Sequence, residues 1–344
     1  MKEATKQRSL LVYRWAWLVA SLTFPLIWLG GLVTTHDAGM AVPDWPGTFG
    51  YNLFLYPIST WVFGPFDLFV EHGHRLLASL VGLLAIFLCF FAYSYEKRPW
   101  ARLVCYAFLA AIISQGVLGG VRVLLDARTA AMIHGCMGPL VFMLGCFVVM
   151  ACSRDWFESR PVVLSVWLRR GAVVLVLFSI IQLFVGAQLR HSQPTWVPVF
   201  FMSLVHTHLT LAAAISALIF WLFAVVRCKP NRQVLELRAP SSMLVAIVIA
   251  QVALGLATWV ANYATPWMEL TPWLARYTVQ GKGFWESMIV TGHQATGSLL
   301  IVGSLWLTCR IMTRGRLVQD EVIEDRQQIV SKVRPSLVAV GEAE

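Results

Sequence analysis

The sequence predicts an all-α polytopic membrane protein with eight transmembrane helices arranged as two repeated four-helix bundles. Three observations carry that prediction. Of 344 residues, 58% are hydrophobic and only 13% charged, where a soluble domain of this size carries roughly a quarter charged residues. Eight stretches are long and apolar enough to cross a bilayer, which takes about 20 residues each. The last four of these stretches also repeat features of the first four.

The first stretch, 10–34, follows Lys2, Lys6, Arg8 and Arg14 and superficially resembles a signal peptide. It is too long for one and shows no small-residue cleavage site, so it reads as a retained span. The others run 73–95, 101–123, 130–152, 165–188, 202–226, 240–262 and 286–312. Each must be helical, because lipid offers no partner to an open backbone N–H or C=O. Fifteen Trp and twenty Phe suit the aromatic belts of such a protein.

Basic residues set the orientation. Lys97, Arg98 and Arg102 follow the second span, Arg154, Arg160, Arg169 and Arg170 the fourth, Arg227, Lys229, Arg232 and Arg238 the sixth, and Arg310, Arg314 and Arg316 the eighth. The alternate loops carry far fewer. By the positive-inside rule both termini are cytoplasmic, and the loops at about 35–71, 123–130, 189–201 and 263–285 face outward. The net charge of +9 is therefore dispersed among inner loops, which argues against a nucleic-acid partner. These loops, with no transit peptide in view, favour a cytoplasmic membrane. The seven cysteines form no CxxC pair and lie in apolar runs or at their basic ends, so they read as buried thiols. The expected organisation is an N-terminal bundle over 1–160, a C-terminal bundle over 161–314 and a charged cytoplasmic tail over 315–344.

The internal repeat aligns His74-Arg-Leu-Leu-Ala-Ser-Leu with His208-Leu-Thr-Leu-Ala-Ala-Ala, and Gln115-Gly-Val-Leu-Gly119 with Gln251-Val-Ala-Leu-Gly255. His134 and Gly138 match His293 and Gly297, and Gly31 is matched with Gly186. Four helices per half is an even number, so both halves insert the same way and the repeat is parallel.

Ionisable groups in a membrane are costly and so are functional candidates. His74, His134, His208 and His293 lie near the outer ends of the even-numbered spans, two in each half. Paired imidazoles across a bundle are the usual means of holding a haem iron from both sides. A hydrogen-bonded interfacial histidine would explain any one of them, but not four at matching positions. A structural zinc site needs four ligands converging on one point, and no cysteine accompanies either pair. His72 and His206 recur two residues earlier; residues at i and i+2 do not share a helix face, so these two are expected at the start of their helices, hydrogen-bonded or near water.

Glu71 lies three positions before His74 and can share its face; Val205 stands in its place in the second half. That difference suggests proton-coupled chemistry in the first bundle and electron storage or transfer in the second. The alternative is that Glu71 pairs with Arg75 or sits among lipid headgroups. Arg75, Arg122, Arg128, Arg190 and Arg276 are outer-side cations suited to haem propionates and equally to an ordinary surface. Gln115, Gly119, Gln251 and Gly255 suit close helix packing, and His36 with Asp37 suits loop structure.

With these residues in view, the chain resembles the haem A synthase family over roughly residues 10–312. The resemblance rests on Gly30-Gly-Leu-Val-Thr-Thr-His-Asp-Ala-Gly-Met-Ala-Val-Pro-Asp-Trp-Pro46 and on Glu71-His-Gly-His74-Arg. It implies a membrane oxidoreductase that converts a methyl group of haem O to a formyl group, giving haem A for cytochrome oxidase assembly. It also implies that His74 and His134 face the substrate haem, that His208 and His293 ligate a b-type haem, and that Glu71 is the functional glutamate. Implied partners are haem O, the enzyme that supplies it, the bilayer and a second copy of the chain; no motif specifies the electron donor. Many relatives carry cysteines near the positions of Val42 and Thr48, so a loop disulfide is not implied here. Leu209 follows His208 where Arg75 follows His74. Two rival readings stand beside this one: a membrane b-type cytochrome moving electrons between quinol and an outer acceptor, and a transporter with a midplane site.

Overall fold

The computed structural model describes residues 2–153, 162–193, 195–228, 235–263 and 283–317. Among them eight helices are long and apolar enough to cross a membrane. They are span 1 (Lys2–Thr35), span 2 (Phe66–Tyr95), span 3 (Pro99–Leu124), span 4 (Arg128–Cys152), span 5 (Val166–Arg190), span 6 (Pro198–Cys228), span 7 (Leu235–Tyr263) and span 8 (Phe284–Arg314). The all-helical, multi-pass expectation holds.

Several helices start earlier than hydropathy suggests, and proline explains three of the starts. Span 2 begins directly after Pro65, span 3 opens on Pro99 and span 6 on Pro198. Proline suits a helical first turn, where its missing N–H has no partner to lose. Ser165 caps span 5, its hydroxyl accepting from the Leu168 amide at 3.3 Å.

Spans 1 to 4 pack in a closed order, 1 on 2, 2 on 3, 3 on 4 and 4 on 1; spans 5 to 8 pack in the same order among themselves. Each set has its own core. Ala16, Val19, Val81, Ala85, Leu88, Phe108 and Val148 meet in the first. Leu168, Leu175, Ile219, Leu222, Leu244 and Leu307 meet in the second. Within span 2 the buried Val81, Ala85, Leu88 and Ala92 follow helical spacing, while Leu80, Leu83, Ile86 and Phe90 are exposed. An apolar outer face of this kind belongs against acyl chains. Buried hydroxyls bond back to their own helices, Thr23 to the Val19 carbonyl and Ser179 to the Leu175 carbonyl.

The two sets meet through spans 1, 4, 5 and 8. Arg190, ending span 5, donates to the Gly31 carbonyl (2.8 Å) and to Thr35 Oγ1 (2.7 Å) on span 1. Thr35 in turn bonds Thr291 of span 8 (3.1 Å). At the opposite end of the molecule, Val162–Leu164 and Gly315–Leu317 form a short parallel ladder. The first three residues of the expected tail therefore pair with the chain; residues beyond 317 lie outside the described residues.

The loop between spans 1 and 2 is ordered. Asp37, with φ of 54°, ends span 1 in the left-handed region. A tight turn closes Thr48 on Tyr51, with φ positive at both Phe49 and Gly50. A short helix, Ile58–Val62, precedes Pro65.

Candidate functional site

The structure brings the four histidines together in two pairs. The rings of His74 and His134 lie 6.4 Å apart, centre to centre, and nearly perpendicular at 84°. The rings of His208 and His293 also lie 6.4 Å apart, at 64°.

Each ring is seated on a glycine of the preceding odd-numbered span. A Cβ at Gly30 would stand 2.9 Å from the Cε1 of His74; the corresponding distances are 3.1 Å for Gly119 and His134, 3.2 Å for Gly186 and His208, and 2.9 Å for Gly255 and His293. Any larger residue would push the imidazole away. The contact that matches Gly186 is made by Gly30, not by Gly31 as the sequence alignment has it; Gly31 packs against Thr291 of span 8 instead. Four residues before the glycine stand Gln115, Gln182 and Gln251 in spans 3, 5 and 7. Gln115 and Gln182 donate their side-chain amides to the backbone carbonyls of His134 (3.2 Å) and His208 (3.0 Å). The Gln251 carbonyl lies 3.2 Å from Nδ1 of His293. A carbonyl can only accept, so that bond places the proton on Nδ1 and leaves Nε2 as the free donor of a lone pair.

This donor set fits a haem iron held from two sides. Imidazole–metal bonds of about 2 Å on each side, added to the two ring radii, put the ring centres about 6.3 Å apart. Among the described residues no three His, Cys, Asp or Glu side chains converge on one point, so the arrangement is one of pairs.

Beside His74 lies a buried ionic cluster. Glu71 is 1% exposed. Its Oε2 accepts the Val42 amide at 2.9 Å, and its Oε1 accepts from Arg75 Nη2 at 2.8 Å and lies 3.9 Å from Arg122 Nη2. Arg75 also donates to the carbonyls of Val42 (2.7 Å), Asp44 (2.6 Å) and Gly47 (2.9 Å). The pairing of Glu71 with Arg75, one of the two sequence alternatives, is thus present. Both Nη atoms of Arg75 are thus engaged by Glu71 and the loop. Trp45 of the same loop rests on Gly120, next to the glycine that seats His134, and Arg122 packs on Gly39.

Asp44 closes the loop turn by accepting the amides of Phe49 (2.8 Å) and Gly50 (2.9 Å). Burial raises its pKa, but these amides and the Arg75 charge outweigh it and hold the carboxyl below its ordinary value.

His72 is hydrogen-bonded, as expected, but buried rather than near water. It lies inside span 2 and is 1% exposed, bonded to Thr48 Oγ1 at 3.0 Å and flanked by Tyr56 and Trp61. It does point away from the His74 pair, as the two-residue offset requires. His206 is exposed. His36 and Asp37 serve the loop, His36 packing on Phe66 and lying 3.9 Å from Asp67. Arg128 is exposed, and Arg276 lies outside the described residues. Sequence reasoning missed the tie between Arg122 and Glu71 and the glycine seats. The Gly30-Gly31 and Gly119-Gly120 doublets, and a glutamine four residues before a seat in three spans, are the signals that could have shown the seats.

Comparison with known proteins gives a family match over residues 13–197, described as cytochrome oxidase assembly protein (COX15-CtaA). That stretch includes Glu71, His74 and His134 and ends before His208 and His293. A curated relative from Shouchella clausii, named Heme A synthase, is 26% identical over 260 residues, covering 69% of this chain and 82% of its own. Proteins of the same name from Lysinibacillus sphaericus (26% over 154 residues; 43% of this chain, 47% of the relative) and Exiguobacterium sibiricum (27% over 177 residues; 49% and 55%) match shorter parts.

Proposed function

The chain belongs to the cytochrome oxidase assembly protein family, and from that premise we propose that it is a haem A synthase: an oxidoreductase that converts a methyl group of haem O to a formyl group. The relatives' common name supports this reading. The observation that carries it is an asymmetry. One ring-pair geometry occurs twice, but among the described residues it is the first pair that has an acid, Glu71, three residues from a ring and buried beside two arginines.

In this reading His74 and His134 hold the haem O substrate, and His208 and His293 hold a b-type haem. The b-type haem, when bound, supplies one-electron transfer. Gly30 and Gly119 seat the two substrate-side rings. Glu71 is the catalytic carboxylate. Its Oε1 is engaged by Arg75 and Arg122, while Oε2 receives one amide and keeps a lone pair, so Oε2 is the atom at which a proton is taken. Arg75 holds the loop from Val42 to Gly47 over that carboxylate and keeps water out.

The organisation follows: residues 1–160 form the substrate half, 161–314 the electron-transfer half and 315–344 a cytoplasmic tail. The basic clusters support a cytoplasmic membrane with both termini inside. Further partners are the enzyme that supplies haem O and a second copy of the chain. The electron-transfer cytochrome is less well supported, because it needs two like surroundings and the two ring pairs have unlike ones.

The test is a haem extraction. The chain is expressed with a haem O synthase in cells that make no haem A, and the haems are separated by chromatography with mass detection. Haem A or its hydroxylated precursor is expected, absent from the vector control, and lost in Glu71→Ala while the second haem stays bound. Haem B and haem O alone, from a folded and haem-loaded protein, overturn the reading. Unchanged product in Glu71→Ala removes the role given to that residue.

A further inference from the structure

The loop between spans 1 and 2 carries no charged residue between Asp44 and Asp67, yet it is richly apolar and open. Phe54 is 69% exposed, Leu55 75%, Ile58 70% and Phe63 86%. Water-facing loops rarely expose a contiguous apolar surface of this kind.

The loop's other side is tied to span 2. Trp61 stacks on Phe69 (5.8 Å, 22°) and lies 5.0 Å from the His72 ring; Tyr56 lies 5.3 Å from it, and Thr48 bonds it. These contacts fix the loop alongside residues 69–72, on the flank of the helix. Span 2 has 30 residues, about 45 Å of helix, against a hydrocarbon core of about 30 Å. Measured from its cytoplasmic end, its first turns therefore stand in the outer headgroup layer, and the loop stands with them.

From this placement we propose that the loop Phe49–Phe63 is a membrane-contact element, seated with Phe54, Leu55, Ile58 and Phe63 in the headgroup-to-acyl boundary of the outer leaflet. Its occupant is lipid. The exposed face continues into Phe66 and Phe69 at the start of span 2, and after a half-buried stretch Leu80, Leu83 and Phe90 are exposed further along the same helix. The composition, aromatic and neutral-polar without charge, is that of the interfacial belt. The inference does not depend on the haem reading. Its consequence is mechanical: the same loop supplies the Val42 amide to Glu71 and Thr48 to His72, so leaflet contact steadies one wall of the first site.

The test uses the full chain in phosphatidylcholine–phosphatidylglycerol liposomes. Leu55→Cys and Phe63→Cys are made separately in a Cys228→Ser background and labelled with an environment-sensitive fluorophore. Quenching by a shallow spin-labelled lipid is compared with quenching by aqueous iodide, and the labelling of the background is subtracted. Several-fold stronger quenching by the lipid is expected at both positions. Iodide quenching equal to that of free label would put the loop in water and overturn the proposal. Protection from both quenchers would mean that protein, such as a second copy, covers the loop, and would overturn it equally. Both positions are exposed, so neither substitution threatens the fold.

Discussion

His74 with His134, and His208 with His293, meet at the same ring separation, each imidazole against a glycine of the preceding span. One turn away the halves part. Glu71 is replaced by Val205, Arg75 by Leu209 and, three residues past the glycine seat, Arg122 by Thr258. The first half thus buries an acid between two arginines and clamps a loop over it. The second half places an aliphatic and a hydroxyl there; Val205 is buried and Leu209 is exposed. Holding a planar group between two rings requires only the seats and the histidines. Taking protons from it requires a charge, and a charge in this setting requires partners. The seats recur in both halves; the cluster of Glu71, Arg75 and Arg122 does not.

The sharpest way to break that comparison is to unpair the acid. Arg75→Gln removes the main counterion of Glu71 and three carbonyl contacts of the loop. Breaking a buried pair from one side costs about 3–5 kcal/mol. Product formation should fall to background while the haem in the second half is retained, as read by chromatography and by haem per chain. Loss of both haems would mean that the clamp holds the whole fold.

Substituting the seats tests the shared part. Gly30→Ala and Gly255→Ala each force a ring to move, and such overpacking costs about 1–3 kcal/mol. Low-spin haem absorbance should weaken in one half only, the first for Gly30→Ala and the second for Gly255→Ala. A Cβ at Gly116 or Gly135 meets nothing within 4 Å, so alanine there should leave the spectrum unchanged. Equal effects from all four substitutions would remove the seats from the account.

The smallest effect concerns the loop. Asp44 has its folded pKa depressed, so its contribution is fully present above the unfolded value of about 3.9 and is lost as pH falls through the folded one. In detergent, pepsin should spare the Phe49–Phe54 segment at about pH 5 and cut it in stronger acid. In Asp44→Asn the protection should already be weaker at about pH 5 and should not differ from the unsubstituted chain in stronger acid. Cleavage independent of pH in the unsubstituted chain would show that Asp44 does not hold the turn.

The eight spans were legible because apolar length alone dictates them, and their early starts were readable at Pro65, Pro99 and Pro198. The histidine pairs were legible because the sequence repeats them. The Gly30 seat was misassigned by one residue, since adjacent glycines give an alignment no means to choose and the ring contact decides. The remainder needed the folded chain. Arg122 reaches Glu71 from a different helix, and the Val42 amide and the Thr48 hydroxyl reach span 2 from a loop whose path no periodicity describes. Hydrogen bonds from these last two tie the loop to span 2.

The central claim is that two like ring pairs serve two different haems, and the most direct measurement is the identity of the haem left behind when one pair is removed. The double variants His74→Ala/His134→Ala and His208→Ala/His293→Ala are each purified from cells making haem B and haem O, and the bound haem is extracted. The account predicts haem B alone in the first variant, with no product, and haem O or its oxidised forms without stoichiometric haem B in the second. The same mixture of haems in both variants would contradict it.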